Sequence, residues 1–176
     1  NHGSPAEAER VAFGTNRPWI SDTFGGNWYS ILNNNTTDRL GSTIRSLAFA
    51  SHDKLYAATT NGQVYRYDQS GTTWTRTRID TIGGPNNALP LTGPITDVAI
   101  DHVDTTGNSI YITFGGTGDW RHVWHFNGSQ WQQRSGPSAG HINSLLDVQH
   151  NAIVVDPANP NHVYAGADIG VWHSTD

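Results

Sequence analysis

The chain has 176 residues, 10 Lys plus Arg against 15 Asp plus Glu, a net charge of −5 and no cysteine. That length suits one domain, the mild acidity gives no basic footprint for nucleic acid, and the lack of thiols excludes disulfides and thiolate metal centres. Lys54 is the only lysine, Glu7 and Glu9 the only glutamates, and no apolar run approaches the roughly 20 residues of a membrane span.

Abundant Gly, Asn, Thr and Trp favour strands and turns over helices. Residues 1–9 read as a tail. Residues 10–14 and 18–21 are two short β-rich runs, and the turn after them runs from Ser21 through Gly25 to Trp28. In such a turn the glycine takes positive φ, polar side chains bond the turn amides, and the tryptophan opens the next strand by covering the turn. Residues 44–50, 54–59 and 63–67 give three more strands, and Gly71 with Trp74 repeats the offset. Residues 95–101, 109–114 and 122–126 follow, then Gly128 with Trp131. Residues 150–156, 162–166 and 170–173 form a last set, and Ser174-Thr175-Asp176 opens the turn again. Glycine–tryptophan pairs at one internal offset, each between β-rich runs, mark repeated hairpins.

The turns resemble the Asp-box, S-x-D-x-G-x-x-W, of sialidase-like BNR propellers. Ser21, Gly25 and Trp28 match it, as do Gly71 with Trp74, Gly128 with Trp131, and Ser174 with Asp176; Thr23, Gln69 and Phe126 stand where its aspartate would be. Asp156-Pro157, Asn159-Pro160, Tyr164-Ala165-Gly166, Gly170, Ser174 and Asp176 resemble the DPxNPxxxYAGxxxGxxxSxD blade of exported bacterial members. This superfamily includes sialidases, xyloglucan-cleaving glycoside hydrolases, sortilin-type receptors and the photosystem II assembly factor group. The resemblance implies an all-β fold, a β-propeller of four-stranded antiparallel blades, present as an arc of about three to four blades. The blades are expected at residues 10–32 (partial), 44–79, 95–135 and 150–176 (partial). It also implies a secreted or cell-surface bacterial protein whose boxes lie away from the ligand face. Such an arc leaves strand edges open, so further blades of the same polypeptide, or another chain, are expected to finish the ring. Residues 1–176 alone are expected to aggregate or oligomerise.

In a propeller the inter-blade loops and the turns between second and third strands surround the channel mouth. Here the inter-blade loops, 32–43, 80–94 and 135–149, are long enough to suggest binding. In 115–121, Trp120, Asp119 and Arg121 could receive a sugar: the indole on its C–H face, the charged groups on its hydroxyls. A long hairpin with Trp120 folded back on its blade is the structural alternative. Glycoside hydrolysis needs two facing carboxylates; with no Glu in the propeller part, Asp97 and Asp147 are the candidate pair. Both could equally bond loop amides. Arg45 could meet a carboxylate, but sialidase chemistry lacks a Glu partner here. His122 and His125 lie three apart on a strand, hence on opposite faces, so no histidine metal site is expected. Residues 101–108 could wrap calcium or form a plain turn. Asn35 and Asn127 lie in N-x-[ST] sequons.

These readings combine into a non-catalytic module that binds a glycan or a surface protein through its long loops, without a cofactor. A glycoside hydrolase completed by other blades and an assembly scaffold are the alternatives. Trp28, Trp74 and Trp131 are expected to be buried at equivalent positions, and Trp120→Ala to weaken ligand binding.

Overall fold

The computed structural model describes residues 9–32, 38–90 and 93–175; most of the tail, the Asn35 sequon and Asp176 lie outside them. β1 (Val11–Gly14), β2 (Pro18–Ser21) and β3 (Tyr29–Ser30) form one antiparallel sheet. β4 (Ile44–Ser51), β5 (Lys54–Thr59), β6 (Val64–Ser70) and β7 (Thr73–Arg78) form the second. β8 (Ile95–Ile100), β9 (Ser109–Phe114), β10 (Val123–Asn127) and β11 (Trp131–Gln133) form the third, and β12 (His150–Asp156), β13 (Asn159–Ala167) and β14 (Gly170–Ser174) the fourth. One helical turn, α1 (Gly84–Asn87), lies between the second and third sheets. Among the described residues no helix is long and apolar enough to cross a membrane.

Within each sheet the strands pair in chain order. The first strands β4, β8 and β12 touch one another in succession, and β1 reaches β4. Four sheets stacked on their first strands make an arc of a β-propeller. Apolar side chains fill each junction: Ile20, Leu55 and Tyr67 between the first two sheets, Val64, Ile110 and Phe126 between the next two, and Val123, Ile153 and Val163 at the last.

The outer hairpins turn on Gly25, Gly71 and Gly128, at φ 91°, 59° and 92°. This left-handed region is open to glycine without steric cost. Their closing bonds differ. Ser21 Oγ accepts the amides of Thr23 (3.2 Å) and Gly25 (2.9 Å), and Thr23 Oγ1 accepts that of Asn27 at 3.0 Å. Gln69 Nε2 donates to the Gly71 carbonyl at 3.0 Å, while Asn127 Oδ1 accepts the amides of Ser129 and Gln130, both at 3.0 Å. In the first and third hairpins a hydroxyl or carboxamide oxygen accepts turn amides as an aspartate would, whereas Gln69 closes its turn as a donor.

Trp74 and Trp131 are 6% and 1% exposed and point at the preceding sheet; Trp131 Nε1 donates to the Ile79 carbonyl at 2.8 Å. Trp28 corrects the expectation of equivalent burial, being 44% exposed. Among the described residues no sheet precedes the first, and the Trp28 ring meets Phe13 edge-on at 6.4 Å. At the other end Val154, Tyr164 and Val171 are likewise exposed.

Equilibrium urea unfolding should separate these tryptophans. Trp131→Ala is expected to cost about 3–5 kcal/mol and Trp28→Ala less than about 1 kcal/mol; equal losses would contradict the packing described.

Candidate functional site

The three complete first strands share one irregularity. Ile44 pairs with Thr59 but Ser46 with Ala58; Ile95 with Phe114 but Asp97 with Thr113; His150 with Ala167 but Ala152 with Gly166. Arg45, Thr96 and Asn151 are therefore bulged residues at one station of three blades. A bulge re-aims a side chain and strengthens local twist. Next to it the carbonyls of Thr43, Pro94 and Gln149 accept the amides of Thr60, Gly115 and Asp168 at 3.0, 2.9 and 3.1 Å.

Arg45, Thr60, Pro94, Thr96, Gly115 and Gln149 line a recess of about 360 Å³ at this end of the arc. Thr96 Oγ1 donates to the His150 carbonyl at 2.8 Å, binding the third blade to the fourth. Asn151 Nδ2 donates to Asp168 Oδ1 at 2.7 Å and Gln149 Nε2 to Asn151 Oδ1 at 2.8 Å. Arg45 is exposed and makes no hydrogen bond or ion pair among the described residues. Its guanidinium is the free cation of the recess. Of the residues expected at the site, Arg45 is the one in this lining; Thr96 and Gln149 join it, and the aligned first strands place Thr96 and Asn151 at Arg45's station.

The carboxylates serve the framework. Asp97 Oδ1 accepts Ser46 Oγ of β4 at 2.9 Å and the Val98 amide at 2.9 Å, while Oδ2 accepts the Ile153 amide of β12 at 3.0 Å. One side chain thus joins three first strands. Asp147 accepts the Gly118 amide on both oxygens, at 3.0 and 2.9 Å, and so anchors the glycine loop. Asp119 and Arg121 pair with each other, at 2.9 and 2.7 Å, in place of forking outward together. The Arg121 hydrogen bonds hold the Asp119 carboxyl below the usual range against the opposing effect of burial. Trp120 is half-buried beside them.

Other polar groups fix the loops. Asp80, 1% exposed, holds Arg78 by two-pronged bonds and accepts the Val64 amide at 3.2 Å; Ser135 accepts the equivalent Val123 amide at 2.8 Å. Asp38 is equally buried, bonded to Ser30 and 3.7 Å from Arg17. In residues 101–108, Asp104 gives its oxygens to the amides of Thr106, Asn108 and Ser109. Lys54 donates to the Thr106 carbonyl and Asn108 Oδ1, both at 2.8 Å. Two of the oxygens in this segment thus face the Lys54 ammonium, and those of Asp104 face turn amides. Among the described residues no group of three or more His, Asp or Glu is placed to hold a metal.

His122 and His150, 2% and 0% exposed, stack across the third and fourth blades with centroids 4.6 Å apart. Nδ1 of His150 donates to the Val148 carbonyl at 2.8 Å, and Nδ1 of His122 to the Phe114 carbonyl at 3.1 Å. His122 Nε2 lies 3.3 Å from Asp147 Oδ1 but out of line for a hydrogen bond, and His150 Nε2 has no hydrogen-bond partner among the described residues. Burial lowers the His150 pKa below its ordinary value, and the neighbouring His122 adds to this. Burial also lowers that of His125.

No protein-family model and no curated protein matches the chain. Its fold is similar to that of the GH74 xyloglucanase from Xanthomonas campestris, at 17% identity and TM-score 0.63, over 98% of this chain and 27% of that one. The Niastella koreensis GH74 enzyme gives 18% and 0.64, over 98% and 28%. YCF48 from Cyanidioschyzon merolae gives 15% and 0.57, over 91% and 44%. The chain spans about a quarter to under half of these proteins, and at such identities the likeness is one of fold.

The two depressed histidines set a pH dependence. Between their folded values and about 6.5 the unfolded chain binds more protons, so their stabilisation is complete above about 6.5 and is lost as pH falls through the folded values. Thermal melts should drop between about pH 7.5 and about pH 5, and His150→Phe should flatten that slope. An unchanged slope would remove His150 from this role.

Proposed function

We propose that this chain is a recognition arc of a BNR/Asp-box-like propeller, non-catalytic by itself, which binds a glycan or a surface protein at the mouth lined by Arg45. The supporting observation is the division of labour at that end. Asp97, Asp147 and Asp119 are bound to protein groups, whereas Arg45 is exposed over a recess otherwise walled by Thr60, Pro94, Thr96, Gly115 and Gln149. A guanidinium with hydroxyl and carboxamide neighbours suits an acidic or polyhydroxylated ligand and supplies neither general acid nor general base. A secreted, bacterial setting belongs to the same proposal and rests on the resemblance of the last blade.

Hydrolysis is the second reading, favoured by the likeness to two GH74 enzymes over 98% of the chain. In that case other blades supply a carboxylate, and Asp97 would have to exchange its ties to Ser46 and Ile153 for substrate.

A glycan array probed with this chain and with Arg45→Ala tests the first reading. Binding should weaken about tenfold or more in the variant with an unchanged unfolding midpoint. Equal binding by both would take Arg45 out of the site. Capture of surface proteins without any glycan would move the reading to a protein scaffold, and release of reducing ends from xyloglucan by this chain would overturn the non-catalytic reading.

A further inference from the structure

Of the chain's asparagines only Asn61 and Asn127 precede a glycine. A glycine amide has no neighbouring side chain to shield it and an adaptable backbone, so it is the peptide nitrogen best able to attack the carboxamide carbon of the residue before it. Asn61-Gly62 joins β5 to β6, Asn127-Gly128 joins β10 to β11, and both asparagines are exposed. The fold treats the two pairs differently.

At Asn61 the attacking group is engaged. The Gly62 amide donates to the Thr59 carbonyl at 3.2 Å, Gly62 itself is buried, and the Asn61 carboxamide oxygen accepts one donor among the described residues, Thr59 Oγ1 at 2.7 Å. Attack there requires that the amide first leave its carbonyl.

At Asn127 the groups that must react are free and the oxygen that must be stabilised is held. Oδ1 accepts the Ser129 amide at 3.0 Å, Ser129 Oγ at 2.9 Å and the Gln130 amide at 3.0 Å. These donors draw charge from the carboxamide carbon and stand ready for the oxyanion that attack creates. Nδ2, which must leave, and the Gly128 amide, which must attack, make no hydrogen bond among the described residues. The Asn127 amide on the Gln130 carbonyl at 3.2 Å keeps the turn closed around them, and Gly128 sits at φ 92°.

We propose that Asn127 is a self-modification site, where the folded turn promotes deamidation of its own side chain. The Gly128 nitrogen gives up its proton to solvent and bonds to Asn127 Cγ; the Cγ–Nδ2 bond breaks, and the nitrogen leaves as ammonia with a proton taken from solvent. One water molecule then opens the cyclic imide at either carbonyl. Opening at one leaves an aspartate in the ordinary backbone; opening at the other leaves its isomer, in which the chain runs through the side-chain carbon. The aspartate keeps an oxygen where Oδ1 was, with the same donors and a full charge for them to hold. The isomer lengthens the backbone of the turn that leads into Trp131.

The whole chain is incubated at mildly alkaline pH, folded and, in parallel, unfolded in urea. Digestion and mass spectrometry follow both Asn-Gly peptides, reading the mass gain of amide to acid and separating the isomer by retention. In the folded chain Asn127 should convert about tenfold or more faster than Asn61, and in urea the two rates should converge. Ser129→Ala removes one donor from an exposed turn and should slow Asn127 while leaving Asn61 unchanged; Ser129→Thr keeps the hydroxyl and should restore the rate. Equal rates in the folded chain, a faster Asn61, a folded Asn127 slower than in urea, or no effect of Ser129→Ala would overturn the proposal.

Discussion

Each blade is a twisted sheet with apolar residues on both faces, and neither face can be satisfied within the blade. Val64 and Tyr65 are adjacent in β6 and both buried, yet they belong to different junctions. Side chains alternate across a strand, so a run such as β5, buried at five successive positions from Leu55 to Thr59, must have a neighbour on each side. Burying a large apolar side chain contributes about 1.5–3 kcal/mol, which makes stacking the source of stability and isolated blades unfavourable. The exposure of Trp28, Phe13, Val154 and Val171 at the two ends is the same constraint seen where the described neighbours stop.

Polar groups then choose one arrangement from among the stacked ones. Asp97 is the clearest instance, since it receives donors from β4 and β12 while standing on β8. Apolar stacking tolerates sliding, whereas a half-buried carboxylate that must keep three donors does not. Lys54 plays the matching part near the outer hairpins, reaching from the second blade to the turn of the third. Charged groups tied in this way hold the stack, whereas Arg45 is exposed and makes no hydrogen bond or ion pair among the described residues.

Strand positions and turn glycines were legible in the sequence because their causes are local. Gly71 needs positive φ whatever surrounds it, and the run from Lys54 to Thr59 is β-rich on its own. The site was legible in part. Arg45 could be named from its place at the head of a first strand, but its bulge depends on pairing with Thr59 and Ala58 across the sheet. Asp97 and Asp147 could be named as carboxylates near the mouth, while their partners, Ile153 and Gly118, lie 56 and 29 residues away. The stacking of His122 on His150 was invisible for the same reason, since strand parity within one blade says nothing about the next. Asp119 and Arg121, two residues apart, bond each other.

Repetition and its failures therefore carry different information. Val64 and Val123 repeat because the same packing and the same closing bond recur at their blades, while Val171 keeps their register but is exposed. Arg45, Thr96 and Asn151 share a backbone station and differ in chemistry, so packing does not dictate the residue there. The bulge gives each of them the same altered direction, yet Thr96 and Asn151 turn to neighbouring protein groups and Arg45 does not. A position held constant in geometry and released from packing, filled here by a guanidinium unpaired among the described residues, can change its chemistry without disturbing the stack that supports it.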